Sequence, residues 1–327
     1  MDRRGLLRRG VVKIMHTSDK KILVAVDGSN QSLEAVRYVS KTFLSQPTKV
    51  VLYHVLSSLP EFFYDLGEKP RIPKATATIF ACEIALKDSL DRFMSEARDI
   101  LIDADIPDEA IDIEIHEREE GIARDIIKES RHGYRAVIVG RDGLNKINTF
   151  VLGSVATKVI ERLINIPIII VGARPNPSRI LLALDESKGA MQAVEYVGTM
   201  MNKSKIDVTL FHAIRGFSIF ESRFEPVINL THKKDWLEEV RLNMKPVFEK
   251  ARMRLIDSGF GPKRITTKLI EGASSRAGAI VEEARAGGYG TIVVGRRGLS
   301  TVYEFLMGRV SNKVIQMAKD QAVWVVP

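Results

Sequence analysis

Short apolar runs alternate along the chain with longer segments whose apolar residues recur every three or four positions. In the first half, runs over Ile22–Val26, Val50–Leu56, Ile111–His116, Ala136–Val139 and Ile166–Val171 predict strands. Helical spacing over Leu33–Phe43, Thr76–Ala104, Ile122–Ser130 and Ser154–Leu163 predicts helices between them. The second half repeats the alternation, with strands expected over Ile180–Leu184, Val208–Ile214, Ile265–Ile270, Thr291–Val294 and Val323–Val326. Strands that alternate with helices point to right-handed βαβ units and a parallel sheet covered on both faces. The expected class is therefore α/β, with two tandem doubly wound, Rossmann-like domains of five parallel strands each.

The halves also match in detail. VIVGRDGLNKINTFVLGSVATKVI, from Val137 to Ile160, returns as IVVGRRGLSTVYEFLMGRVSNKVI, from Ile292 to Ile315. Gly140, Gly143 and Gly153 recur 155 positions later as Gly295, Gly298 and Gly308 (295−140, 298−143, 308−153). KILVAVDGSNQS at Lys21 is echoed by RILLALDESK at Arg179, which places Asp185 158 positions after Asp27 (185−27). Such internal similarity marks a duplicated domain. GARPNPS, over Gly172–Ser178, interrupts regular structure with two prolines. The expected divisions are a basic tail over 1–18, a first domain over 19–172, a linker over 173–178 and a second domain over 179–327. Irregular stretches near 57–74 and 215–234 follow the second strand of each half, where loops can cover a ligand.

Composition narrows the function classes. The net charge is +8, but Met1–Met15 holds a net +4 of it, through Arg3, Arg4, Arg8, Arg9 and Lys13 against Asp2. What remains is dilute over two domains, so nucleic acid is not an expected partner. The basic start lacks the apolar core of a secretory signal, and either forms a disordered tail or precedes a start at Met15. No apolar run is long enough for a membrane span. Cys82 is the single cysteine, which fits a cytoplasmic protein.

Gly-x2-Gly-x9-Gly-Ser after the fourth strand, with an aspartate closing the first, resembles the universal stress protein family. Here the pattern is Asp27, Gly140, Gly143, Gly153 and Ser154, and the resemblance covers both repeats, nearly the whole chain after Lys20. His54 and His212, near the ends of the second strands, agree, as do Gly121 and Gly272 after the third. The resemblance implies a strand order of 3-2-1-4-5 in each domain and pairing through the fifth strands. Many family members bind ATP and others do not.

In that order the first and fourth strands form a topological switch point, where ligands bind beyond the strand ends. Glycines let backbone N–H groups approach a phosphate, and the helix opening at Ser154 adds unpaired donors and a positive dipole end. Ionised Asp27 accepts hydrogen bonds from ribose hydroxyls or an adenine amine. Val55 resembles the family position whose backbone meets the base, and Ala25, Val26 and Val139 line an apolar wall. With Val155, these residues form the expected nucleotide site of the first domain. The bland alternative is a tight turn followed by an N-cap serine.

The second domain offers Asp185, Ala213, Val294, Gly295, Gly298, Gly308 and Arg309. Arg309 replaces Ser154, and could fill the phosphate site or contact phosphate through both guanidinium nitrogens. A weakened or altered site is expected there, with Arg296 and Arg297 adding positive charge. His54 and His212 read as structural, and the histidines show no metal spacing such as His-Glu-x-x-His. No catalytic or metal-ligating residue is assigned.

The leading functional expectation is an ATP-binding tandem stress-response regulator that acts through a protein partner, with Mg2+ as a companion to the nucleotide. An interaction scaffold of the same fold with empty sites is the alternative. An ATP-using enzyme with weak hydrolase or adenylating activity comes third, since no Gly-x4-Gly-Lys-Ser/Thr loop is present. The duplication is expected to pack as an intramolecular pseudo-dimer through Ile166–Val171 and Val323–Val326, with homodimerisation of the whole chain left open.

Overall fold

The computed structural model describes residues 20–43, 48–56, 73–143, 152–201, 205–216, 230–298 and 307–327; for 73–83 and 230–234 only the helix path is given. The basic tail and most of the two expected lids lie outside the described residues. In the first half, β1 (Lys20–Ala25), α1 (Asn30–Thr42), β2 (Thr48–Leu56), α2 (Pro73–Ile102), β3 (Ile111–Glu117), α3 (Ile122–Glu129), β4 (Ala136–Gly140), α4 (Ser154–Arg162) and β5 (Ile168–Val171) follow in order. In the second come β6 (Arg179–Ala183), α5 (Lys188–Met201), β7 (Asp207–Arg215), α6 (Leu230–Asp257), β8 (Ile265–Ala273), α7 (Arg276–Ala286), β9 (Thr291–Gly295), α8 (Arg309–Met317) and β10 (Ala322–Val326).

The strands join one ten-stranded sheet of order β3-β2-β1-β4-β5-β10-β9-β6-β7-β8. Each half has the expected 3-2-1-4-5 order with parallel pairs, and the halves meet where β5 and β10 run antiparallel. The register there sets Val323 beside Ile170, Trp324 beside Ile169 and Val325 beside Ile168. IIIV and AVWVV are buried throughout, as strands covered on both faces should be. Left as edges, both would be exposed apolar templates for aggregation; pairing removes that hazard. The true edges, β3 and β8, carry charged and polar residues instead, as in IDIEIHE.

Helices of both halves cover the seam. Trp324 lies buried between Phe43 (ring centroids 5.9 Å, stacked) and Tyr196 (5.8 Å, edge-on). Its indole N–H donates to the Tyr38 hydroxyl at 2.8 Å, and that hydroxyl is 2.7 Å from Thr291 Oγ1. Desolvation pushes the Tyr38 pKa up to about 12, so the hydroxyl stays neutral. On the other face of the sheet, two buried arginines cross between the halves. Arg141 follows β4 and donates to the carbonyls of Ile315, Gln316 (2.9 Å) and Ala318 (3.2 Å), at the C-terminus of α8. Arg296 follows β9 and donates to the carbonyls of Ile160 (2.6 Å), Glu161 (3.4 Å) and Leu163 (2.9 Å), at the C-terminus of α4.

The acceptors match position for position across the 155-residue repeat, so the two interactions are related by the internal pseudo-symmetry. Each guanidinium supplies donors to carbonyls left over at a helix end and meets the negative end of its dipole. Burial lowers the pKa of both groups. Sequence reading placed Arg296 beside the second phosphate site. The structure corrects this: its side chain turns away, into the interface with the first half.

Removing either arginine leaves several helix-end carbonyls without donors. Arg296→Met should therefore lower the unfolding free energy by about 1–3 kcal/mol. Urea denaturation measures it, and Arg141→Met is expected to match because the interactions are equivalent.

Candidate functional site

β1 and β4 are neighbours, with Ala25 beside Val139, and the chain winds away from them in opposite directions. Their carboxyl ends thus form a switch-point crevice. Val26 and Val139 are buried beneath it and Ala25 is half-buried. Asp27 follows β1, and its Oδ1 accepts from the Ser29 amide at 3.0 Å. Between them Gly28 takes φ 85°, the left-handed region that favours glycine. Ser29 in turn caps α1, accepting from the Ser32 amide at 3.1 Å. The aspartate is therefore held by the start of the helix that follows it.

The glycine loop faces this carboxylate. A Cβ on Gly143 would stand 2.6 Å from Asp27 Oδ2, too close for both to remain in place. Gly153 closes the loop, its amide donating to the Arg141 carbonyl at 2.9 Å. A Cβ on Gly140 would press on Gln31 at 3.2 Å. Ser154 is exposed and opens α4, whose N-terminus has no side-chain cap. By contrast, Ser29 and Ser275 cap α1 and α7. The helix opening into the crevice thus has no side-chain cap among the described residues. Ala25, Val26, Asp27, Val139, Gly140, Gly143, Gly153, Ser154 and Val155 lie at the same end of the sheet. Val55 is buried one strand further out, toward the end of β2.

The second half repeats the construction. Asp185 Oδ1 accepts from Ser187 N at 3.0 Å, and a Cβ on Gly298 would lie 2.8 Å from Asp185 Oδ2. Gly308 N donates to the Arg296 carbonyl at 2.8 Å, and α8 likewise has no side-chain cap. A cavity of about 140 Å³ opens here, and all seven residues expected from the sequence line it: Asp185, Ala213, Val294, Gly295, Gly298, Gly308 and Arg309. Arg309 is exposed at the rim. Arg297 lines the cavity as well, unlike Arg296, and so does Arg276, which sequence reading missed.

The reason lies in the alignment of the helices after β3 and β8. Gly121 and Gly272 were paired from sequence as the glycines after the third strand. In the structure Gly121 caps α3, whereas Gly272 lies inside β8 and Ser275 caps α7. The buried pairs Ala123/Ala277 and Ile126/Ile280 set an offset of 154 (277−123, 280−126), which makes Arg276 the counterpart of Ile122.

The two histidines have matching structural roles. His54 Nδ1 lies 2.9 Å from the Val26 carbonyl and His212 Nδ1 lies 2.7 Å from that of Leu184. Each ring bridges the end of one strand to its neighbour, with Nδ1–H as donor. Burial holds the His212 pKa below its ordinary value, so the ring is neutral. Among the described residues no group of three histidine, cysteine or acidic side chains could hold a metal.

The family model described as the universal stress protein family matches residues 19–172 and again 177–327. A universal stress protein of Mycolicibacterium smegmatis is 22% identical over 204 residues, covering 61% of this chain and 65% of that protein, just under two thirds of its length. Universal stress protein YxiE of Bacillus subtilis is 23% identical over 145 residues, 43% of this chain and 93% of that protein. A crystal structure of a universal stress protein from Archaeoglobus fulgidus superposes with a TM-score of 0.60 at 18% identity, over 94% of this chain and 98% of that one, a likeness of fold.

The burial of His212 makes stability depend on pH. A lowered folded-state pKa means the unfolded chain binds the proton first. Stability is then complete above the unfolded value near 6.5 and falls as pH drops through it toward the folded pKa. His212→Asn keeps an N–H donor but cannot titrate. Thermal unfolding at pH 7 and pH 5 should show a smaller loss for this variant than for the parent.

Proposed function

The chain belongs to the universal stress protein family, and we propose that it is an ATP-binding regulator whose nucleotide sits across Asp27 and the Gly140–Ser154 loop. The division into domains over 19–172 and 179–327, with a linker over 173–178 and a basic tail over 1–18, belongs to the same reading. The observation that carries it is the joint geometry of the crevice. A carboxylate anchored by backbone faces a glycine with no room for a side chain, beside a helix N-terminus open to an anion. A plain turn needs the glycine and the cap, but not an uncapped helix end aimed into a switch point.

On this reading Asp27 accepts from the nucleoside, and the apolar wall of Ala25, Val26, Val139 and Val55 receives the base. Backbone amides near Gly143 and Ser154, with the serine hydroxyl, hold the phosphates, and Mg2+ enters with them. The chain works in the cytoplasm through a protein partner that responds to occupancy, and the nucleotide is a signal rather than a substrate. The second domain is an altered version of the site.

Gly143→Val places a side chain against Asp27 and inside the phosphate space. Calorimetry on the folded variant should show ATP affinity at the first site reduced at least about tenfold, or about 1.4 kcal/mol. Unchanged affinity in a folded variant would falsify the assignment.

A further inference from the structure

The two halves share a backbone plan but differ in charge at matched positions among the described residues. Among the described residues, the charged side chains lining the second cavity are Asp185, Arg276, Arg297 and Arg309, and His212 is neutral, giving a net charge of +2 (3−1). By the repeat offsets, the equivalent positions in the first half are Asp27, Ile122, Asp142 and Ser154, a net −2. Three positions that line the second cavity are arginine where the first half has isoleucine, aspartate and serine.

The placement of these arginines is as informative as their number. Arg297 and Arg309 belong to the loop and helix that follow β9, while Arg276 opens α7 after β8. The strands run β9-β6-β7-β8, so these elements leave the sheet on opposite sides of β6, where the crevice lies. Three strand spacings of ~4.8 Å separate β9 from β8. All three guanidinium groups are exposed, and among the described residues none forms an ion pair with a carboxylate. Like charges gathered around one cavity repel unless an anion joins them. Guanidinium forks suit phosphoryl oxygens, which they can engage in pairs.

We infer that the second domain binds an anion bearing at least two phosphoryl groups, gripped by Arg297 and Arg309 at one end and Arg276 at the other. This deepens the nucleotide reading of the second site and rests on its phosphate-cradle geometry. It also gives the duplication a purpose: one domain for ATP, the other for an anion recognised through its phosphoryl groups. Arg309 is then a phosphate contact, not a plug.

Tripolyphosphate, which has no nucleoside, is the probe. In a full chain carrying Gly143→Val, the first site is obstructed and the second is left to report. Calorimetry should show one tripolyphosphate bound per chain, at least about tenfold more tightly than orthophosphate, with affinity falling steeply as salt rises. Arg276→Gln, Arg297→Gln and Arg309→Gln should each weaken it about tenfold, and the three together by more. Because these side chains are exposed, the variants should keep the parent's unfolding midpoint. Tripolyphosphate binding unchanged in the triple variant, or no binding at all to the folded Gly143→Val chain, overturns the inference. ATP titrated into the unsubstituted chain separates the two readings. If ATP binds only through the arginines, with its affinity unchanged by Gly143→Val, the nucleotide assignment of the first site falls and this one stands. If ATP binds and Gly143→Val abolishes it, but tripolyphosphate ignores the arginines, the reverse holds.

Discussion

Two buried arginines, each capping a helix of the opposite half, hold this molecule in the arrangement on which its sites depend. Arg141 lies in the glycine loop of the first crevice and caps α8, whose other end opens the second. Arg296 lies in the second loop and caps α4, whose other end opens the first. Each helix therefore presents its N-terminus to one site while its C-terminus is fixed by a side chain from the other site's loop. The β5–β10 pairing supplies the surrounding apolar seam, but sheet hydrogen bonds alone would not fix the position of the helices relative to the loops. A buried charge is costly unless its donors are used, and here carbonyls at helix ends provide the acceptors.

This arrangement explains why duplication within one chain suits the fold. A single five-stranded domain would leave its last strand as an apolar edge and its loop arginine without acceptors. A second copy satisfies both at once. With both copies in one chain, the sites can diverge independently, because symmetry between identical subunits no longer forces them to match. The arginines at positions 276, 297 and 309, where the first half has isoleucine, aspartate and serine, are a difference that a symmetric dimer could not make.

Much of this was legible in the sequence. The alternation of apolar runs and helical spacing indicated the α/β class, and the family resemblance carried by the glycine spacing implied the strand order. The apolar runs at Ile166 and Val323 marked the strands that pair across the seam. What could not be read was direction. Arg296 and Arg297 are adjacent and chemically identical, yet one is buried in the interface and the other lines the cavity. Their side chains part because Arg296 lies against the other half, a neighbour visible only in three dimensions. Arg276 was missed for a different reason. The third-strand glycines looked equivalent, and only the buried faces of α3 and α7 show that the helix starts are offset differently.

The central claim is that the uncapped start of α4 and the loop beside it receive the phosphates of a nucleotide held by Asp27. Amide hydrogen exchange, followed residue by residue with and without millimolar ATP, tests this most directly. The account predicts slowed exchange at Gly143, Ser154 and Val155, the amides that gain acceptors. Unchanged exchange at these amides, with protection elsewhere in the chain, would contradict it.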